Sequence, residues 1–562
     1  MNRRNWTART VHLILLGVAL CVALSLSASA QESKVGTVDF PTSTKSADAQ
    51  GHFIRGVAEL HSFWFEEAAD EFRHAEAADP EFMMAYWGEA MTYNHPLWAQ
   101  QDADSARKVL AKIHDTPQLT ARERAFLNAV KVLYGAGDKL SRDIAYSKAM
   151  EKIYRAYPND DEAACFCALS LLGTVRSGDK GYGRQMKAAA IALAVFEKNP
   201  DHPGAAHYII HAFDDPDHAI LALPAARRYA EIAPAANHAQ HMPSHIFLQL
   251  GMWKEAAASN ERAWATSDEW VKRKNLSITQ RDYHSFQWLE YVYLQQGRYE
   301  KAADLIDTMR KVVNDTKGQP MMSSVLNRMQ AAYIVETQKW ELADDWFTAK
   351  PGRSPASAEN DAHAHHGDHG NQGAGSSSYG GGGDSLSVYV RGLSAAKRGL
   401  PVAQRCAEQL SQIAANMTGD EYRAKGVRIM ALEVRAAAAA SGHDYEQAID
   451  LMKQAVAVES EMSEPSGPPE IVKPPLELYG EILLQANRPA TAAEQFEASL
   501  LREPNRARSL IGKARALAAS GESGDATATY GSFEKMWDQA DSARQELTEA
   551  KSRLSERASS VR

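Results

Sequence analysis

Two groups of histidines recur at helical spacing. His207-Tyr208-Ile209-Ile210-His211 is an i, i+4 pair, and His238, His241 and His245 are spaced i, i+3, i+7. On a helix each group sets its imidazoles on one face. Neutral imidazole is the commonest side-chain ligand of Zn, Cu, Fe and Ni. A pair four residues apart lets two nitrogens of one helix reach one ion. Two such pairs on neighbouring helices offer a four-ligand shell, or three ligands and an open, water-bearing position. His207, His211, His241, His245 and His284 are therefore the candidate ligands, with Asp214, Asp215 and Glu89 as outer partners or further ligands. The same cluster without metal would be a polar groove. His52, His74, His114 and His443 stand singly and read as packing or hydrogen-bonding residues. There is no His-Glu-x-x-His, no Gly-x-Ser-x-Gly and no phosphate loop, which removes the standard zinc-protease, hydrolase and nucleotide-binding readings.

Pro243 lies between two of these histidines, in His241-Met242-Pro243-Ser244-His245. An interior proline costs a plain helix about 3 kcal/mol. Either the helix kinks here, or it starts at Pro243 and the His241–His245 relation is lost.

The elements that must carry these side chains are helices. Of 562 residues, 44% are hydrophobic and 24% charged, which excludes collagen and wholesale disorder. The net charge of −9 argues against a nucleic-acid partner, whose phosphates need a basic stripe. Residues 1–30 read as a secretory signal: Arg3, Arg4 and Arg9, an apolar run from Val11 to Leu26, then Ala28-Ser29-Ala30. The expected location is periplasmic or secreted, with no membrane span once that segment is cleaved. Beyond it, Cys165, Cys167 and Cys406 read as buried small hydrophobes rather than disulfide partners.

A motif of an aromatic or Gly, a charged pair and Ala recurs as Gly251-Met252-Trp253-Lys254-Glu255-Ala256, Gly297-Arg298-Tyr299-Glu300-Lys301-Ala302 and Asp444-Tyr445-Glu446-Gln447-Ala448. Helical runs flank each copy. Several second helices run into a proline, at Pro80, Pro200, Pro234 and Pro504, and Gly56 and Gly88 lie 32 residues apart. These features resemble the tetratricopeptide repeat (TPR) pattern. The resemblance implies an all-α, right-handed α-solenoid of about a dozen TPR-like helix pairs. It also implies that the first helix of each pair lines a concave groove, and that the default partner is a protein or peptide. In that register His238, His241 and His245 take groove-facing places, as does His284. His61, Glu89, His95, Tyr208 and Tyr291 are further expected groove residues.

The expected organisation is a signal peptide (1–30), a flexible segment (31–50), an N-terminal solenoid carrying the histidines (51–351), a disordered His/Gly/Ser-rich insert (352–385), a C-terminal solenoid (386–540) and a charged tail (541–562). The expected function is a His-lined concave site for a divalent transition metal (Zn, Cu, Fe or Ni), serving storage, delivery or metal-dependent chemistry. The alternative is a metal-free protein- or peptide-binding scaffold.

Overall fold

Glycines opposite a phenylalanine show why these helices pair. In the computed structural model, which describes residues 34–179, 181–347, 383–542 and 544–560, Gly56 and Gly88 lie against the ring of Phe72. A Cβ on Gly56 would come to 2.9 Å of that ring, and one on Gly88 closer still. Gly480 and Gly512 clasp Phe496 in the same way, with a Cβ on either meeting the ring at 2.8 and 2.5 Å. The 32-residue spacing seen in the sequence is thus one phenylalanine wedged between successive first helices. Each such wedge is fully buried, and helices of single repeats have no other way to hide their apolar faces. Gly88→Ala is expected to cost about 1–3 kcal/mol by overpacking against Phe72. Urea unfolding would read this as a lower midpoint.

The chain is an all-α solenoid of TPR-like helix pairs. Among the described residues the only sheet is a two-residue antiparallel ladder in which Asn94 faces Gln101. Turns within pairs use left-handed backbone where expected. Gly251 and Gly297 have φ of 62° and 69°, and Met252 N–H and Arg298 N–H bond back to the Phe247 and Tyr293 carbonyls, a Schellman closure. Second helices Phe65–Ala78, Gly183–Lys198, Ala219–Ile232 and Pro489–Arg502 each stop one or two residues before their proline. Cys165, Cys167 and Cys406 are buried and free. No helix among the described residues is long and apolar enough to cross a membrane.

Five elements position the histidines: Pro203–Ala212, Ala219–Ile232, the pair Asn237–His241 and Pro243–Gln249, and Tyr283–Gln295. Pro243 does break the helix, but Met242 between the two segments keeps helical backbone (φ −53°, ψ −36°). The result is a kink that retains the i, i+4 relation.

Residues 386–540 pack on the helices that follow the cluster. The Trp253 indole donates to the Asn505 carbonyl (2.9 Å) and the Trp537 indole to the Gln295 carbonyl (2.8 Å). The tail folds as helix Gln545–Ser560, tied by Arg508–Glu546 and Arg515–Glu549 ion pairs. Helix Gly383–Lys397 already begins inside the interval expected as insert. The signal-like segment 1–30 and the insert histidines His363, His365, His366 and His369 lie outside the described residues.

Candidate metal centre

The six histidines assemble as two sets of three rather than as two merged pairs. In the first set, Nε2 of His207 lies 3.0 Å from Nε2 of His211 and 3.1 Å from Nε2 of His238. In the second, Nε2 of His241 and His245 are 3.1 Å apart, and His284 offers a nitrogen to the same group. His238, expected only to line the groove, therefore sits with the 207/211 pair, and His284 completes the 241/245 pair. The N-cap Asp282 of helix Tyr283–Gln295 also accepts from Asn237 Nδ2 at 3.2 Å. That contact draws the starts of two helices together and with them His238, His241 and His284.

The far side of each ring fixes its tautomer. His207 Nδ1 donates to the His61 carbonyl at 2.7 Å. His241 Nδ1 donates to Asn260 Oδ1 at 2.6 Å, because the Asn260 amide nitrogen is already given to the Ala256 carbonyl. His245 Nδ1 donates to the Asp214 carboxylate at 2.6 Å. A neutral imidazole has one N–H, so all three Nε2 atoms carry a bare lone pair. With both rings neutral, two such lone pairs, of His241 and His245, face each other in the second set. His284 Nε2 is buried beside them without a hydrogen-bond partner. Protonation of His241 would relieve this, but burial and the neighbouring imidazoles oppose it. Burial holds His207 and His284 down at about 3, and burial together with the neighbouring imidazoles holds His211, His238 and His241 well below the ordinary histidine range. Converging lone pairs with oriented N–H groups behind them are what a cation-binding imidazole set requires.

The walls are aromatic. Phe63, held at φ 53°, lies 4.4 Å from the His207 ring, and Trp288 lies 4.3 Å from His245 and 4.9 Å from His241. His211, His245 and His284 open onto a cavity of about 650 Å³. The segment between Met462 and Pro474 forms part of its wall. Gly467 there lies so close over Trp288 that a Cβ would meet the indole at 2.5 Å, and the Pro465 carbonyl accepts from Gln249 at 2.6 Å.

The other expected groove residues lie apart from the lone-pair sets. His61 is fully buried and its two nitrogens are engaged, with Tyr208 Oη at 2.8 Å and Glu162 at 2.7 Å. Tyr208 is thus a partner of His61. Glu162 also binds His202 at 3.0 Å. Despite the cost of burial, the two imidazoles hold its carboxyl down at about 2. His61 serves the cluster through its backbone, as the acceptor that orients His207. Glu89 pairs with Arg73 at 2.8 Å. His95 stacks on Phe65 at 4.1 Å and neighbours Trp98, the ring that also neighbours His238. Tyr291 is drawn to Arg506 at 2.9 Å. Asp215 caps the next turn and binds His218. Asn260, Phe63 and Trp288 carry no mark in the sequence that sets them apart from packing residues.

Asp214→Asn tests the orienting role. The amide is a weaker acceptor for His245 Nδ1–H, so metal affinity is expected to fall about 10–100-fold, read by competition with a chromogenic chelator. An unchanged affinity would remove Asp214 from the site.

No protein-family model and no curated protein matches the chain. Solved structures to which it is similar include the APC/C hetero-tetramer Cut9–Hcn1 (12% identity, 89% of this chain and 76% of that one, TM-score 0.32). Ypp1 (11%, 90% and 88%, 0.42) and the P58(IPK) TPR domain (12%, 91% and 99%, 0.20) are others. None of these likenesses bears on the histidine cluster.

Proposed function

We propose that this TPR-like solenoid is an exported protein whose histidine cluster binds a divalent transition metal, for storage, delivery or metal-dependent chemistry. The observation that carries the reading is the facing pair of bare Nε2 lone pairs on His241 and His245, 3.1 Å apart, with Asn260 and Asp214 taking the N–H groups behind them. A hydrogen-bonded polar groove would alternate donors and acceptors, whereas this pair leaves only acceptors turned toward each other. Imidazole suits Zn, Cu, Ni and Fe alike, so the donor set selects the class and not the element. Export rests on the Arg-rich, apolar and Ala-Ser-Ala sequence of residues 1–30.

Elemental analysis of untagged full-length protein, with His363, His365, His366 and His369 replaced by serine, tests this. Metal retained through dialysis at one equivalent or more, and falling in His241→Ala/His245→Ala, is the expected result. Absence of retained metal, with no rise in melting temperature on adding Zn(II) or Cu(II), would overturn it. A metal-free scaffold for a protein or peptide segment would then stand ahead, with the 650 Å³ cavity as its seat.

A further inference from the structure

We infer that the two histidine sets hold a pair of metal ions joined by one bridging oxygen anion, hydroxide in the simplest case, at the floor of the cavity. This rests on the metal-binding reading above and adds the number of ions, their coupling and the class of the shared ligand.

The first support is spacing. The His211 and His245 rings, from different sets, are 6.1 Å apart, and those of His238 and His241 are 6.4 Å apart. Those separations match the wider spacings within the sets, 6.2 Å for His211–His238 and 6.3 Å for His245–His284. The six imidazoles are thus one continuous group. Ions held in adjoining sets would be neighbours, and in two-metal sites a separation of about 3.5–4 Å lets one oxygen touch both.

The second support is count. Each set supplies three nitrogens, one fewer than the tetrahedral shell of a closed structural site and the number typical of sites that keep an open position. Three of the six rings, His211 from one set and His245 and His284 from the other, border the same cavity. The open positions of both ions accordingly face one space.

The third support is charge. All six ligands are neutral, so two divalent ions bring four positive charges into a desolvated place. Asp214 stands behind His245 and answers only part of that charge. A buried charge without a counter-charge is costly, and an anion bound between the ions is the direct remedy. Carboxylates, Asp214, Asp215, Asp217 and Glu464 among them, outnumber the arginines Arg176, Arg328 and Arg502 at the cavity, which favours entry of cations over bulky anions. That selects a small ligand formed in place from water, its proton leaving to solvent through the cavity.

Copper(II) titration of the full chain, with the four insert histidines replaced by serine, separates the outcomes. The pair predicts two equivalents bound and an electron paramagnetic resonance intensity well below the bound copper, because bridged Cu(II) ions couple. His207→Ala/His211→Ala and His241→Ala/His245→Ala should each halve the bound copper and make the remainder fully visible, with circular dichroism confirming the helical fold. One equivalent in the parent protein, or two with full and independent signals, overturns the pair and leaves single-ion binding standing. No bound copper overturns both. The parent measurement decides the matter even where a variant fails to fold.

Discussion

Replacing His284 by alanine should cost the metal-free protein little and remove the share of metal stabilisation that the second histidine set supplies. Truncating a large buried side chain ordinarily costs about 3–5 kcal/mol. His284 is different because its Nε2 is buried with no partner. Leaving a polar group in that state costs about 1–3 kcal/mol, so its removal offsets much of the cavity term. A metal at a hundredfold excess over its Kd stabilises the native state by about 2.7 kcal/mol. That increment should be present in full in the parent protein and clearly smaller in His284→Ala, which keeps the intact His207, His211 and His238 set. Thermal melts with and without Zn(II) give both quantities from the same samples. A variant that loses several kcal/mol without metal, or that keeps the full metal increment, would contradict the assignment of His284 as a ligand.

The second large effect lies away from the histidines. Arg506 is fully buried and binds Glu477 (2.8 Å), Glu336 (2.6 Å) and Tyr291 (2.9 Å). Lys473, also buried, binds Glu477 at 2.8 Å. The network joins helices Tyr283–Gln295, Pro320–Thr337, Pro475–Gln485 and Ala507–Ser520. It ties the helix that carries His284 to the C-terminal repeats. Arg506→Met removes the charge that pairs with Glu336, Glu477 and Glu503 and leaves Glu477 with Lys473, and about 3–5 kcal/mol of destabilisation is expected. The pH dependence follows from Glu477. Burial pushes its carboxyl up, but Arg506 and Lys473 outweigh burial and bring it down to about 2 from 4.5. A depressed acid contributes stability in full above its unfolded value, and loses it as pH falls through its folded value. The gap between parent and variant should therefore narrow between about pH 4.5 and pH 2. Urea melts at several pH values would show it, and a constant gap would mean the loss is one of packing alone.

Much of this was legible in the sequence, for a definable reason. Gly56, Gly88 and the prolines at 80, 200, 234 and 504 act within one repeat or between adjoining repeats, where sequence spacing and spatial spacing run together. The pairing of His207 with His211 is likewise set by helical pitch. His241 and His245 stayed paired across Pro243 because Met242 keeps helical backbone, a choice that local rules left open. The grouping of His238 with the first set and His284 with the second was not legible. It depends on how the Asn237–Asp282 contact and the kink at Pro243 rotate one helix against the next. Nor was the divergence of Tyr291 toward Arg506, since a buried arginine claims acceptors from elements more than a hundred residues away, whereas Glu89 is taken by Arg73 of the helix just before it.

The sequence by itself determined the helices, their pairing and which imidazoles share a face, because periodicity and turn chemistry act over a few residues. Only the tertiary structure decided which nitrogens keep bare lone pairs. Each tautomer is set by one acceptor on another element: the His61 carbonyl, Asn260 or Asp214. A hydrogen bond at 2.6–2.7 Å exists only once those elements have packed.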